Sequence, residues 1–360
     1  MIYVKYLNKL ILKKLTEARQ PQVSLNKINY KFMKVRFLKK KDLEKFQKMV
    51  NNYYKKNHIL AKSKKIINFY YNFSNKKNLF IIGLFDKDDS LLSAMGLIPY
   101  KNWDEKLNND YHIAFWVKKD KLINSLWLFK FIFNNIKPNF LATSGINLKT
   151  SGRIFQRFGK IKFFDNHYIK NLKSKNSFFQ KLSNKTSKYF AYNQLTMTSK
   201  DCIDKLPPYL YRPKKTIKYF KNKYFKNPFY DYFCLNFYYK KKLQFFFICR
   251  ELKIKKYKVS LVRVVDFYGV INQRHNISFL LQEFLYKNNY EYIDFVSVGL
   301  RRDLESLGFL RKKNKDFLPE LFEPYDHREG SRNYCILINK YKSNIVLVKA
   351  DGDGDRPNLI

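Results

Sequence analysis

The sequence predicts a mixed α/β (α+β) protein made of two mixed-sheet units in tandem, and three observations predict it. Short apolar runs rich in Val, Ile, Phe and Tyr alternate with segments whose apolar residues recur at helical spacing. The order strand, helix, strand, short helix, glycine, strand occurs twice, about 150 residues apart. A polar stretch containing "PP" and "RPKK" separates the two copies.

In the first copy, KVRFL (34–38) reads as a strand, and 41–57 and 63–71 carry helical apolar spacing. NLFIIGLFD (78–86) and SLLSAMGLIPY (90–100) form a hairpin turned at DKDD. YHIAFWV (111–117) is a strand, INSLWLFKFIFNN (123–135) an apolar helix, and 139–146, after the breaker Pro138, a further strand. TSGRIFQRFG (150–159) is a short helix stopped by Gly159, and KIKFFDNHYI (160–169) is a last strand. The second copy repeats the end of this order. KVSLVRVVDFYG (258–269) is a strand, NISFLLQEFLYKNN (276–289) a helix, EYIDFVSVG (291–299) a strand and RRDLESLGF (301–309) a short helix. SRNYCILINK (331–340) and SNIVLVKA (343–350) close it as strands. The chain therefore divides into an N-terminal extension (1–32), a first unit (33–170), a junction (171–214), a second unit (215–345) and an acidic C-terminal tail (346–360).

The formal net charge of +43 invites a nucleic-acid reading, because Lys and Arg neutralise phosphates. Composition argues against it. Lys supplies about four-fifths of the basic residues, and phosphate readers favour the bidentate fork of Arg. Lys, Asn, Ile, Phe and Tyr share A/T-rich codons, so codon bias is enough to give such a charge; a polyanion or membrane-surface partner stays open, with nucleic acid disfavoured. A cleft in such a protein still attracts acidic ligands. The four cysteines have no CxxC spacing, which suits reduced thiols in a cytoplasmic protein and speaks against a zinc site. No apolar run reaches the ~18–20 residues of a membrane span. There is no GxSxG, HExxH, phosphate-binding Walker loop or dinucleotide glycine triplet.

The element order resembles that of the GNAT acyltransferase family over 34–170 and, more loosely, 230–345. The resemblance implies a fourth strand that splays from the fifth, with the pantetheine of acyl-CoA pairing in the gap. It implies a pyrophosphate cradle at the helix N-terminus after the fourth strand, where free N–H groups favour anions. On this basis Ala114, Phe115, Trp116, Val117 and Asn124 line the acyl-CoA groove of the first unit. Asn147, Phe155 and Gly159 fall on the family's Asn, Tyr, Gly pattern with one extra residue, and Leu304 and Gly308 hold the corresponding spacing in the second unit. There are departures. KKDKLINSL has no glycine where the family has a glycine-rich loop, whereas DFYGVINQRHN supplies Gly269 and Arg274 to the second unit. The family's Tyr is Phe155 in one unit and Leu304 in the other, and neither donates a proton to a leaving thiolate. The phrases SGIN, RFGKIKFFDNHYI, RVVDFYG, FEPY and ADGDGDRPN also resemble tandem GNAT-like proteins encoded with bacterial O-antigen and surface-polysaccharide genes.

Acyl transfer to an amine needs a group that takes a proton. His167 in the strand after the short helix and Asp266, which interrupts an apolar strand, are candidates; Asp266 reads equally as one half of an ion pair with Arg263. Glu320 and Glu323 in LPELFEPY are candidates for holding a sugar hydroxyl or amine. Asp351, Asp353 and Asp355 alternate with glycines, which allow close approach to a ligand. In an extended segment they share one side, so Asp351 and Asp353 are candidate proton acceptors and Asp355 a binder of the acceptor at the mouth of an inter-unit cleft. The triplet lacks the later Gly and Glu of a calcium loop, which excludes that site, and no residue is read as a metal ligand; a Mg²⁺ site bridging a nucleotide-sugar diphosphate and a merely solvated tail stay open as alternatives. The expected function is acyl-CoA-dependent N-acylation of an amino sugar, nucleotide-linked in one version, in surface-polysaccharide synthesis. The alternatives are an aminoacyl-tRNA-dependent transferase of the tandem type and a non-catalytic polyanion-binding protein.

Overall fold

The computed structural model describes residues 33–72, 77–119, 126–149, 151–173, 195–254, 258–271, 276–313, 318, 321–322, 325–326, 333–342 and 344–357. Asn124, Arg274, Glu320 and Glu323 lie outside the described residues, as do the extension 1–32 and residues 174–194 of the junction.

The first sheet begins with β1 (Lys34–Lys39) and the hairpin β2 (Asn78–Phe85) and β3 (Leu91–Pro99). It continues through β4 (Asp110–Lys118) and β5 (Phe140–Ser144). Three helices follow β1: α1 (Leu43–Tyr53), α2 (Ile59–Lys62) and α3 (Lys64–Tyr71). The single helix expected over 41–57 ends at Tyr53, and Asn57 takes φ +58° before α2 starts. His58 caps α2, its Nδ1 accepting from the Leu60 amide at 3.2 Å. In α1, Phe46, Met49 and Val50 are buried at i, i+3 and i+4, and pack on the sheet. The other sheet face carries α4 (Trp127–Phe131, continued by a wider turn over Ile132–Ile136) and α5 (Ser151–Phe155). Period-two alternation explains the double burial of β2. Leu79, Ile81 and Phe85 join the α1–α3 core, whereas Phe80, Ile82 and Leu84 join the α4–α5 core.

After α5 the chain forms β6 (Lys160–Phe163) and then β7 (Asp165–Lys170). The second sheet begins with β8 (Leu195–Lys200), a strand from the stretch that the sequence reading gives to the junction. After α6 (Ile217–Phe220, continued over Lys221–Phe225) come the hairpin β9 (Phe233–Tyr239) and β10 (Lys242–Ile254), and β11 (Val259–Gly269). Next are α7 (Ser278–Lys287), β12 (Tyr292–Val298), α8 (Arg301–Ser306) and β13 (Leu310–Arg311). The two-residue strands β14 (Leu321–Phe322) and β15 (Tyr325–Asp326) pair with each other, and β16 (Asn333–Asn339) and β17 (Leu347–Val348) end the order.

The two sheets have the same order, β1-β2-β3-β4-β5-β16-β6 and β8-β9-β10-β11-β12-β7-β13. Each contains one strand from the other half of the sequence. KIKFFDNHYI is not one strand but two. β6 stays in the first sheet, and β7 enters the second antiparallel to β12. In return β16 enters the first sheet between β5 and β6. Gly159, expected only as a helix stop, is needed for this exchange: a Cβ there would lie 2.0 Å from the Ile336 carbonyl oxygen of β16. The largest core cluster also crosses between the units, joining Phe46, Tyr71 and Phe115 to Tyr219, Phe246, Val265 and Ala350.

Candidate active site

The two units diverge where their central parallel strands separate. β4 and β5 pair in parallel from Asp110–Phe140 to Ile113–Thr143, and the Thr143 hydroxyl donates to the Ile113 carbonyl at 2.9 Å. The next residue, Ala114, is bulged against β3: Phe115 faces Gly96 while Ile113 faces Leu97. Gly96 leaves the room that the Phe115 ring takes, since a Cβ there would lie 2.2 Å from it. On the other strand Gly145 takes φ +67° and turns the chain away. The gap opens into a cavity of about 870 Å³. Its walls are Ile113–Lys118 of β4, Thr143–Asn147 after β5, Ser151, Ile154 and Phe155 of α5, and Asn52, Tyr53 and Tyr54 at the end of α1. Ala114, Phe115, Trp116, Val117, Asn147 and Phe155 thus line one space. The Phe155 ring meets Trp116 edge-on, with centroids 6.0 Å apart.

The second unit repeats this geometry and fills it. β11 and β12 pair in parallel up to Val264–Phe295, and Val265 is bulged against β10 as Ala114 is against β3. Beyond that point β12 turns its edge to β17, pairing Ser297 with Val348 and Val298 with Leu347. The Ala350 amide donates to the Val265 carbonyl at 3.3 Å. The chain's own C-terminal segment therefore occupies the gap that is open in the first unit. Gly269, expected at a cofactor phosphate, packs elsewhere: at φ +131° its Cβ position lies 2.4 Å from the Gln244 carbonyl oxygen.

The tail departs from the expected extended, cleft-mouth arrangement. It coils in turns, all three carboxylates are buried, and each reaches a different set of partners. Asp351 accepts from the Val348 amide at 2.8 Å and lies 3.1 Å from Lys215 Nζ. Asp353 accepts from the Tyr71 hydroxyl at 3.0 Å and from Arg356 Nε at 2.6 Å. Asp355 accepts from the Tyr232 hydroxyl at 2.8 Å and from Arg250 at 3.0 Å. Burial alone would raise the Asp351 carboxyl, but Lys215 and Lys223 hold it below its usual value. Buried ions persist only when paired in this way. Among the described residues no group of three or more His, Cys, Asp or Glu is arranged to hold a metal.

Asp266 does not pair with Arg263. It accepts from Lys215 Nζ and from the Tyr224 hydroxyl, both at 2.6 Å, while Arg263 binds Asp294 at 2.6 Å. His167 lies in β7 opposite Phe295 of β12 and Arg311 of β13, away from the residues that line the cavity. It is fully buried, and among the described residues neither ring nitrogen has a hydrogen-bond partner.

Sequence reasoning missed the polar cluster beside the open gap. His112 of β4 lies 2.9 Å by Nδ1 from the Tyr334 hydroxyl of β16, and 3.3 Å by Nε2 from Ser144 Oγ of β5. A signal existed, since His112 interrupts the apolar run YHIAFWV as Asp266 interrupts RVVDFYG. Burial lowers the His112 imidazole to about 4, with Lys223 adding to the effect and Asp353 and Asp351 opposing it.

No protein-family model matches the chain, and no curated protein matches it. Solved structures similar to it include N-myristoyltransferase of Saccharomyces cerevisiae with bound myristoyl-CoA, at 12% identity over 91% of this chain and 82% of that one, with a TM-score of 0.42. A GCN5-related N-acetyltransferase from Anabaena variabilis is similar at 7% identity, over 85% of this chain and 73% of that one, with a TM-score of 0.44. One from Sphaerobacter thermophilus is similar at 9% identity, over 84% and 94%, with a TM-score of 0.41. The strand order and the two splays, read from this chain itself, carry the fold assignment.

Proposed function

We propose that the protein is an acyl-CoA-dependent N-acyltransferase of the GNAT type, acting in the cytoplasm, and that its first unit is the working copy. One observation carries this reading: β4 and β5 part after Ile113–Thr143, and the cavity of about 870 Å³ begins there. The β4 backbone past the bulge has no β5 partner, so it is free to pair with the amide groups of a pantetheine arm. The second unit supports the same reading, because its own segment Leu347–Ala350 uses the corresponding strand edges. The acceptor is an amino sugar in surface-glycan synthesis. Asn52, Tyr53 and Tyr54 favour it, offering amide, hydroxyl and ring faces at the α1 side of the cavity. The net charge of +43 favours a phosphate-bearing, nucleotide-linked form.

Calorimetric titration of the full chain with acetyl-CoA tests the reading. The expected stoichiometry is one per chain, since one gap is open and the other is filled. Ala114→Trp, which puts an indole into the open gap, should weaken binding at least tenfold. Two equivalent sites, or no effect of the indole, would refute the assignment of the first unit.

A further inference from the structure

The cluster His112, Ser144 and Tyr334 comes from three neighbouring strands, β4, β5 and β16. His112 and Tyr334 are sealed from solvent, whereas Ser144 lines the cavity. The tail closes the cluster from another side. Gly352, at φ +80°, lies so close to the imidazole that a Cβ there would be 2.1 Å from His112 Cδ2. Three buried carboxylates on either side of Gly352 and Gly354 tie that segment to Lys215, Tyr71 and Arg250.

We propose that Ser144 and His112 form a proton relay at the open gap: the Ser144 hydroxyl receives the proton of the acceptor nitrogen while passing its own to His112 Nε2. This rests on the acyl-transfer reading above. The new bond joins the acceptor nitrogen to the acyl carbon, and the carbon–sulfur bond breaks. The proton lost by nitrogen is held on the imidazole and ends on the CoA thiolate, giving amide and free thiol. The relay requires the His112 tautomer protonated on Nδ1, which then donates to the Tyr334 oxygen; Tyr334 and Gly352 are positioning residues for the ring. The groups facing the imidazole are Asp351 and Asp353 of the tail, Lys223 after α6, and the Tyr334 and Ser144 hydroxyls. Held near 4, the ring is neutral at physiological pH and has a free acceptor nitrogen. So weak a base suits the strongly acidic N–H of the adduct formed after attack, not the ammonium of the free acceptor.

The full chain is tested with acetyl-CoA and glucosamine, and with acetyl-CoA and water alone, by release of CoA thiol. Ser144→Ala and Tyr334→Phe are small changes that avoid the risk of His112→Gln failing to fold. Ser144→Ala should lower thiol release by roughly a hundredfold while the acetyl-CoA Kd stays within about twofold. Nitrogen NMR of the histidine side chains should show His112 protonated on Nδ1 only at pH 7, and Tyr334→Phe should disturb that signal. Failure of the wild-type protein to bind acetyl-CoA would remove the acyl-transfer reading and the relay together. Normal binding with full activity in Ser144→Ala would overturn the relay alone. So would a proton on Nε2, or an acyl mass increment on Ser144 after acetyl-CoA alone, which would make the serine a nucleophile.

Discussion

At the scale of single residues, the buried polar groups decide what changes the protein tolerates. Asp355 neutralises Arg250, whose guanidinium stacks 3.8 Å above the Tyr230 ring. Asp355→Ala removes the carboxylate from that buried charge and should cost about 3–5 kcal/mol in urea unfolding; a loss below about 1 kcal/mol would mean that the remaining contacts of the guanidinium suffice. His167 presents the opposite case, because burial, with no hydrogen-bond partner among the described residues, drives its imidazole down to about 4. Its folded pKa lies below the unfolded value near 6.5, so the unfolded chain takes the proton first. The stability it leaves intact above about pH 6.5 is lost as pH falls toward 4. His58 and His112, also held near 4, act with the same sign, whereas the carboxyls of Asp110 and Glu291, raised by burial to about 6 and about 7, act with the opposite sign. His167→Phe should therefore flatten the fall in urea midpoint between pH 6.5 and 4. Parallel pH curves for the two proteins would contradict that assignment. Such residues were only half legible. The sequence marks Asp266 and His112 alike as polar interruptions of apolar strands, but their partners, Lys215 and Tyr334, lie far along the chain, where spacing gives no guide.

At the scale of elements, the hairpin of β2 and β3, β4, β5, α7 and β12 follow from apolar patterning, because each is a local run that buries itself on a sheet or helix face. The membership of β7 and β16 does not. Both read as strands, and patterning says that a strand exists without saying which sheet receives it. The filled gap of the second unit was invisible for the same reason, since Leu347–Ala350 reads as an ordinary closing strand. Gly159→Ala gives a direct probe of the exchange. Its methyl must displace the Ile336 carbonyl, so it should destabilise by about 1–3 kcal/mol. The increase in hydrogen exchange should fall on β16 and β5 before it reaches β2. Unchanged protection of β16 would show that the strand shifts without cost.

At the scale of the whole molecule, exchanged strands and a shared core make the two halves one cooperative body. Urea unfolding followed by near-UV and far-UV signals should give a single coincident transition. Residues 1–173 and 174–360, produced together as two chains, should co-elute in buffer and part only in denaturant. Separate elution without denaturant would argue that each half holds itself together. The symmetry also has a consequence during synthesis. β5 emerges from the ribosome with an unpaired edge, and its neighbour β16 follows almost two hundred residues later. At about 5–20 residues per second, that edge waits on the order of ten to forty seconds for its partner strand. Throughout that interval the nascent first half offers a strand edge to any passing chain, so the yield of this protein in a cell should respond more steeply to chaperone supply and translation speed than its final stability would suggest.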